Sequence, residues 1–427
     1  MIRDSQFSAR FAAVRQHTQQ LCAPLAPEDH VPQPVPEVSP PKWHLAHTSW
    51  FFEAMLLQSS LPGYGVFHPQ FGYLFNSYYD GIGERVLRGA RGHLSRPTVA
   101  EVLAYRAHVD AAMQRLLAEP LPPALAALVE LGLQHEQQHQ ELLLTDLKMV
   151  LATNVIDVRY GAAGAAGAAG AAPLDLGAEH APESLSAEAW VGRPAGSVEV
   201  GHAGAGFCFD NETPRHVQHV PAVQLRSTLV SNEEYLAFMA DGGYERFNFW
   251  HAEGWDWARG LAVKAPLHWR PDPDRSGRWL HFTLSGLQPL PPAAPVTHIS
   301  FYEAYAFCQW AGWRLPTEFE WEALAPRLAW GRRWEWTSSA YQPYPGFRPA
   351  PGAVGEYNGK FMVNQQVLRG ASYATAPGHA RISYRNFFHA PLRWQYTGIR
   401  PARDGTGTAS TASTASTAGT AATARAA

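Results

Sequence analysis

A chain of 427 residues is too long for one ordinary domain, and two or three are expected. Its net charge of −3 advertises no nucleic-acid partner. Its three cysteines, Cys22, Cys208 and Cys308, are far apart and form no C-x-x-C pair, which argues against a disulfide scaffold and a cysteine-ligated zinc site.

The first 21 residues, MIRDSQFSARFAAVRQHTQQL, are polar and lack the apolar core of a signal peptide. No apolar run approaches the ~20 residues of a membrane span, so a soluble cytoplasmic protein is expected. WHLAHTSWFFEAMLLQS, from Trp43, reads as a helix carrying His44 and His47 beside Trp50, Phe51 and Phe52. SRPTVAEVLAYRAHVDAAMQRLL follows as a second helix, opened by a capping box between Thr98 and Glu101. A third long helix is predicted over Leu121–Ala152, and in it the stretch QHEQQHQELLL sets His135 and His139 four residues apart, on one face and one turn from each other. Helices of this kind must bury their apolar stripes on one another, so a bundle is expected.

Tyr160–Pro173, YGAAGAAGAAGAAP, has the composition of a flexible linker. The body after it changes character. It is rich in glycine, proline and aromatics, with short β-prone runs such as SVEVGH, HVQHVPAVQL and VLRGASY, and reads as an irregular α+β domain with much loop. The threonine-, serine- and alanine-rich tail from Gly405 offers nothing to bury. The expected organisation is a helix bundle over 1–159, a linker over 160–173, a mixed domain over 174–404 and a tail over 405–427.

Imidazoles on two facing helices are a common way to build a metal site, and three neutral histidines leave coordination positions open for chemistry. The polar turn around His135 and His139 reverts at once to leucines, so its polarity is local and needs something polar to face. Spacing alone does not choose among iron, zinc and nickel.

SPPKWHLAHTSWFFE, FHPQFGYLFNSYYDGIG, RGHLSRPT and HEQQHQELLLTD resemble the N-terminal DinB-like bundle of the ergothioneine-biosynthesis sulfoxide synthases, the EgtB family. FDNETPRHVQHV, VSNEEYLAFMADGGY, PVTHISFYEAYAFCQWAGWRLPTEFEWEALA, WEWTSS, LRGASY and GIRPAR are similar to the formylglycine-generating-enzyme (sulfatase-modifying) domain, which has a C-type-lectin-like core. The resemblance covers nearly everything but linker and tail. It implies an O2-dependent non-haem Fe(II) enzyme that joins a thiol, L-cysteine or γ-glutamylcysteine, to the imidazole carbon of hercynine (trimethylhistidine) and oxidises the sulfur. It places the iron ligands at His47, His135 and His139, with His44 in a supporting or structural position. Gln138 would contact hercynine, and Asn386, Phe387 and Phe388 would close over it. Tyr78 and Tyr79 match active-site tyrosines of the cysteine-using branch, one of them a proton donor. Arg88 and Arg91 would clamp the thiol substrate's carboxylate. NETPRH and RLPTEFEWE read as fold-defining hydrogen-bond networks. Two departures stand out: the loop RLAWGRR is short for the family, and the paired cysteines that bind copper in formylglycine-generating enzymes are absent. Two other readings keep the scaffold. One acts on histidine, as in ovothiol synthesis, or on a selenium donor. The other is a non-catalytic metal-binding or thiol-sensing protein.

Overall fold

A computed structural model of the protein describes residues 4–161, 175–183, 188–351 and 353–405. Of the linker and tail expected from sequence, only Tyr160, Gly161 and Gly405 fall within the described residues.

The N-terminal body is built on α1 (Asp4–Cys22), α2 (Pro41–Phe52), α3 (Gln58–Ser60), α4 (Phe71–Phe75), α5 (Val99–Leu116) and α6 (Pro123–Ala152). Helix α5 opens with the expected capping box: the Thr98 hydroxyl accepts from Glu101 N and the Glu101 carboxylate accepts from Thr98 N. The helix predicted from Trp43 runs without a break through α2 and α3, widening into a π-turn over Glu53–Leu57 between them. Helix α1 falls on the stretch read only as polar. Phe7, Phe11 and Leu21 are its buried contacts, and two of its polar residues, Arg15 and Thr18, are buried as well. Both reach Glu136 of α6, Arg15 at 3.0 Å and Thr18 at 2.7 Å, where Arg106 of α5 joins them. Burial opposes the charge on Glu136, but the two guanidiniums outweigh it and hold the carboxyl down to about 2. Half of the polar turn around His135 is thus occupied in tying α1, α5 and α6 together.

Close packing of α2 on α6 rests on Gly132. A Cβ there would meet the Phe52 ring at 2.6 Å and the Phe51 ring at 3.1 Å. Phe51 in turn lies 4.6 Å from the His135 ring, so the glycine sets how near the two histidine-bearing helices approach.

The C-terminal body holds α7 (Asn232–Ala240), α8 (Ala252–Gly260), α9 (Phe301–Trp310) and α10 (Glu318–Leu324), with four small sheets. The four-stranded sheet runs in the order Asn386–His389, Gln365–Gly370, Trp334–Ala340, Thr397–Gly398; only the last pairing is parallel. Buried ion pairs supplement its apolar core. Glu318 takes Arg385 at 2.8 Å and Arg369 at 3.3 Å, Glu335 takes Arg400 at 2.7 Å, and Glu212 takes Arg381 at 2.5 Å. NETPRH and RLPTEFEWE supply two of these carboxylates, Glu212 and Glu318, the structural use read from the sequence.

The bodies meet along α6. Lys148 pairs with Glu179 and reaches His298 Nε2 at 2.7 Å; Trp394 Nε1 donates to Asp146 at 2.8 Å. Tyr160 bonds both sides, its hydroxyl to Leu21 O and its amide to Leu284 O. Among the described residues no helix is long and apolar enough to cross a membrane.

Candidate metal centre and cavity

His47 leaves α2, His135 and His139 leave α6, and all three are buried with one nitrogen each inside a common 4.8 Å sphere of separation. His47 Nε2 and His135 Nε2 are 3.2 Å apart. The His47 ring is stacked between Trp43 at 4.4 Å and Trp50 at 5.4 Å, which fixes its plane. Its Nδ1 donates to the Phe75 carbonyl at 2.6 Å, so Nε2 presents a bare lone pair to its neighbours. Burial lowers the proton affinity of all three imidazoles, His135 to about 3, and for His47 and His139 the other imidazoles lower it further. Neutral nitrogens crowded this way, each buried and with no carboxylate bonded to it among the described residues, suit a divalent cation. Three imidazoles also leave positions open for exogenous ligands.

His135 and His139 line a cavity of about 510 Å3 between the two bodies, with His47 buried behind them. Four glutamines crowd the α6 turn, and their directions differ. Gln134 contacts His379, Gln137 reaches Pro377 O, and Gln140 donates to Val14 O. Only Gln138 lines the cavity, where Tyr357 donates to its oxygen and its nitrogen donates to the Tyr384 hydroxyl. Tyr357 and Tyr384 come from irregular segments of the C-terminal body that carry no periodic signal, and the sequence reading missed them.

Asn386, Phe387 and Phe388 line the opposite wall. The Phe387 ring stacks on Tyr341 at 4.0 Å, and Phe388 meets Trp394 edge-on at 6.0 Å. Tyr78 also lines the cavity, but Tyr79 does not: its ring is fully buried against Trp50 and Phe51 and stacks on Tyr78 at 4.7 Å. Burial raises both phenols above the ordinary tyrosine range, so both stay protonated near neutrality. The loop that carries Tyr78 is strapped to the C-terminal body, since Glu356 accepts from Asp80 N at 2.9 Å and Gly81 N at 2.8 Å, while Lys360 bonds the Tyr78 carbonyl.

The two arginines separate. Arg88 is an exposed rim residue bonded to Glu37 O. Arg91 is buried, lies 3.5 Å over the Trp43 ring and donates to Ser39 at 2.9 Å and Ser77 at 3.2 Å. No carboxylate among the described residues pairs with it, and burial, then Arg88, lowers its guanidinium well below the usual range. Glu141 is the inverse case; the sequence marks it as part of the polar turn but not as a site residue. Its oxygens accept from Trp334 Nε1 at 2.7 Å, Ser372 at 2.6 Å and Thr375 at 2.7 Å, with no cation in ion-pair reach among the described residues. Its position one turn after Gln138, inside the same polar stretch, was the available signal. One cavity therefore presents a buried cation lacking an anion, a half-buried anion lacking a cation, and aromatic walls.

A family model described as the DinB superfamily matches residues 10–143, and one described as sulfatase-modifying factor enzyme 1-like domain matches residues 178–331. The hercynine oxygenase of Mycolicibacterium smegmatis is 30% identical over 434 residues, covering 86% of this chain and 92% of that one. The hercynine oxygenase of Mycolicibacterium thermoresistibile is 30% identical over 431 residues, with 86% and 88% covered. The formylglycine-generating enzyme of Streptomyces coelicolor is 35% identical over 163 residues, 34% of this chain and 48% of its own. The mycobacterial likeness runs through both bodies, and the chain belongs to the hercynine oxygenase family.

Proposed function

We propose that the protein is an O2-dependent Fe(II) sulfoxide synthase that joins L-cysteine to the imidazole carbon of hercynine, giving hercynyl-cysteine sulfoxide for ergothioneine synthesis. The observation that carries this reading is a three-histidine cluster, two of whose imidazoles open on a cavity also lined by Arg91 and Glu141, each short of a counter-ion. Forming the C–S bond removes two electrons and oxidising the sulfur removes two more. One O2 accepts all four, leaving one oxygen on sulfur and one in water. Bound through His47, His135 and His139, Fe(II) supplies the redox couple and open positions that this exchange needs.

The chain's own groups do the rest. Arg91 binds the cysteine carboxylate, an anion its fork geometry suits and its surroundings lack. Gln138, pinned by Tyr357 and Tyr384, orients the hercynine amine end beside the aromatic faces of Phe387 and Phe388, with Asn386 next to them. Glu141 supplies the counter-charge. A trimethylammonium has no N–H to donate, so a carboxylate already accepting from Trp334, Ser372 and Thr375, with three of about four acceptor sites taken, suits it better than it suits a primary ammonium. That favours hercynine over histidine and sets aside the ovothiol-type alternative. Tyr78 holds its proton at neutrality and faces the cavity, where its hydroxyl can donate to reduced oxygen. Expected domain limits of 1–159 and 174–404 put the ligands in the first body and the aromatic wall in the second.

The test is anaerobic loading with Fe(II), then O2 with hercynine and either cysteine or γ-glutamylcysteine, products read by mass spectrometry. A sulfoxide is expected, with kcat/KM for cysteine at least roughly tenfold higher, about 1.4 kcal/mol. No product with either thiol would end this reading; a preference for γ-glutamylcysteine would end only the choice of thiol.

A further inference from the structure

Two of the three ligand histidines have their outer nitrogen occupied, and they are held in different ways. His47 uses a backbone carbonyl. His139 uses another histidine: its Nδ1 lies 2.9 Å from His44 Nδ1. Two imidazole nitrogens at that distance share one proton, so one ring donates and the other accepts. The far side of His44 decides which. His44 Nε2 is 3.0 Å from Asp146 Oδ2. That oxygen also accepts from Ser39 N at 2.8 Å, and Asp146 Oδ1 accepts from Trp394 Nε1 at 2.8 Å. Both donors are fixed N–H groups, so the carboxylate is an acceptor on both oxygens. His44 therefore carries its hydrogen on Nε2 and offers a lone pair at Nδ1. His139 must then hold its hydrogen on Nδ1, which leaves its Nε2 bare toward His47 and His135. The opposite tautomer would point an N–H at the metal position and could not ligate.

We infer that Asp146, acting through His44, is a positioning residue that sets the metal-binding tautomer of His139. The inference rests on the metal-centre reading above. His44 and Asp146 touch the triad only at its outer edge, and the carboxylate is clamped from both bodies, by Ser39 from one and Trp394 from the other. The docking of the C-terminal body is thereby wired to the affinity of the centre. His135 has no such lock; its Nδ1 is buried with no partner among the described residues.

The test compares metal binding, not turnover, in the full-length protein, by chelator competition with Co(II) and, anaerobically, with Fe(II). In Asp146→Asn the amide cannot accept from Ser39 N, Trp394 Nε1 and His44 Nε2 together. An amide hydrogen turned to His44 reverses the relay, and a 10–100-fold rise in the metal dissociation constant is expected, the usual cost of losing such a support. His44→Gln and His44→Leu separate direction from packing. Glutamine can donate to Asp146 and accept from His139, keeping the relay's sense, and should stay within about threefold of wild type; leucine fills similar space without either bond and should lose 10–100-fold. The Co(II) visible spectrum should shift in Asp146→Asn and His44→Leu and hold in His44→Gln. Equal loss in the glutamine and leucine variants, or wild-type affinity in Asp146→Asn, overturns the relay while the metal centre stands. A wild-type chain that binds neither metal overturns both.

Discussion

Replacing Glu141 by glutamine removes one charge from the cavity and almost nothing else. The glutamine oxygen can still accept from Trp334 Nε1 and Ser372, now at 2.7 and 2.6 Å from the carboxylate, and its nitrogen can donate to the Thr375 hydroxyl. The substitution therefore leaves no buried polar group without a partner, and stability should change little. What is lost is the attraction for a cation. At a separation of about 5–6 Å and an effective dielectric constant near 20, one charge pair is worth about 3 kcal/mol, and partial exposure of the cavity mouth brings this toward about 2 kcal/mol. Hercynine binding to the metal-loaded, anaerobic protein should weaken roughly 30–150-fold. Titration calorimetry measures it directly, with imidazolepropionate, which keeps the carboxylate but lacks the cationic amine, as the comparison. Loss of affinity for hercynine alone is expected. Equal loss for both ligands, or none for either, would refute the assignment of Glu141 as counter-charge.

Gly132→Ala should cost about 1–3 kcal/mol of stability by denaturant titration, because the added methyl must displace Phe52 and Phe51 from α6; unchanged stability would mean the helices have slack. Tyr78→Phe should lower kcat by about 100-fold or more with metal binding intact, whereas Tyr79→Phe, outside the cavity, should cost far less; the reverse order in single-turnover rates would move the proton donor to Tyr79. The metal-free protein should lose stability as pH falls. In the unfolded chain the triad histidines take up protons below about 6.5, whereas burial keeps them neutral in the fold, His135 down to about 3, so the unfolded state binds more protons across that window. Chemical denaturation from pH 7 to 5 checks it, and a stability flat over that range would contradict neutral buried imidazoles.

The helix pair with its three histidines was legible because a metal site on helices must repeat at helical spacing, and His135 and His139 do so in the sequence itself. The bundle was legible for the same reason, except at α1. There the buried face mixes Phe7 and Phe11 with Arg15 and Thr18, and polar residues destined for Glu136 read as solvent-facing until the carboxylate they meet is known. Among Gln134, Gln137, Gln138 and Gln140, composition could not say which turns inward; the second body decides that, by offering Tyr357 and Tyr384 to one of them. The family resemblance singled out Gln138, and the geometry gives it reasons. Arg88 and Arg91 looked alike as neighbours in one loop. Their difference is burial, which arises from Trp43 and two serines contributed from elsewhere in the bundle. Glu141 and Asp146 were hidden by their ordinariness, as acidic residues on a long helix are usually solvated.

The centre itself is tested most directly by iron content. Wild-type protein and the His47→Ala, His135→Ala and His139→Ala variants would be loaded anaerobically with Fe(II), desalted, and assayed for iron per chain, with circular dichroism to verify folding. About one iron per wild-type chain is expected, with most of it lost from each folded variant, because removing one of three imidazoles leaves too few nitrogen donors to hold the ion. Full iron occupancy in folded His135→Ala or His139→Ala would contradict the three-histidine centre.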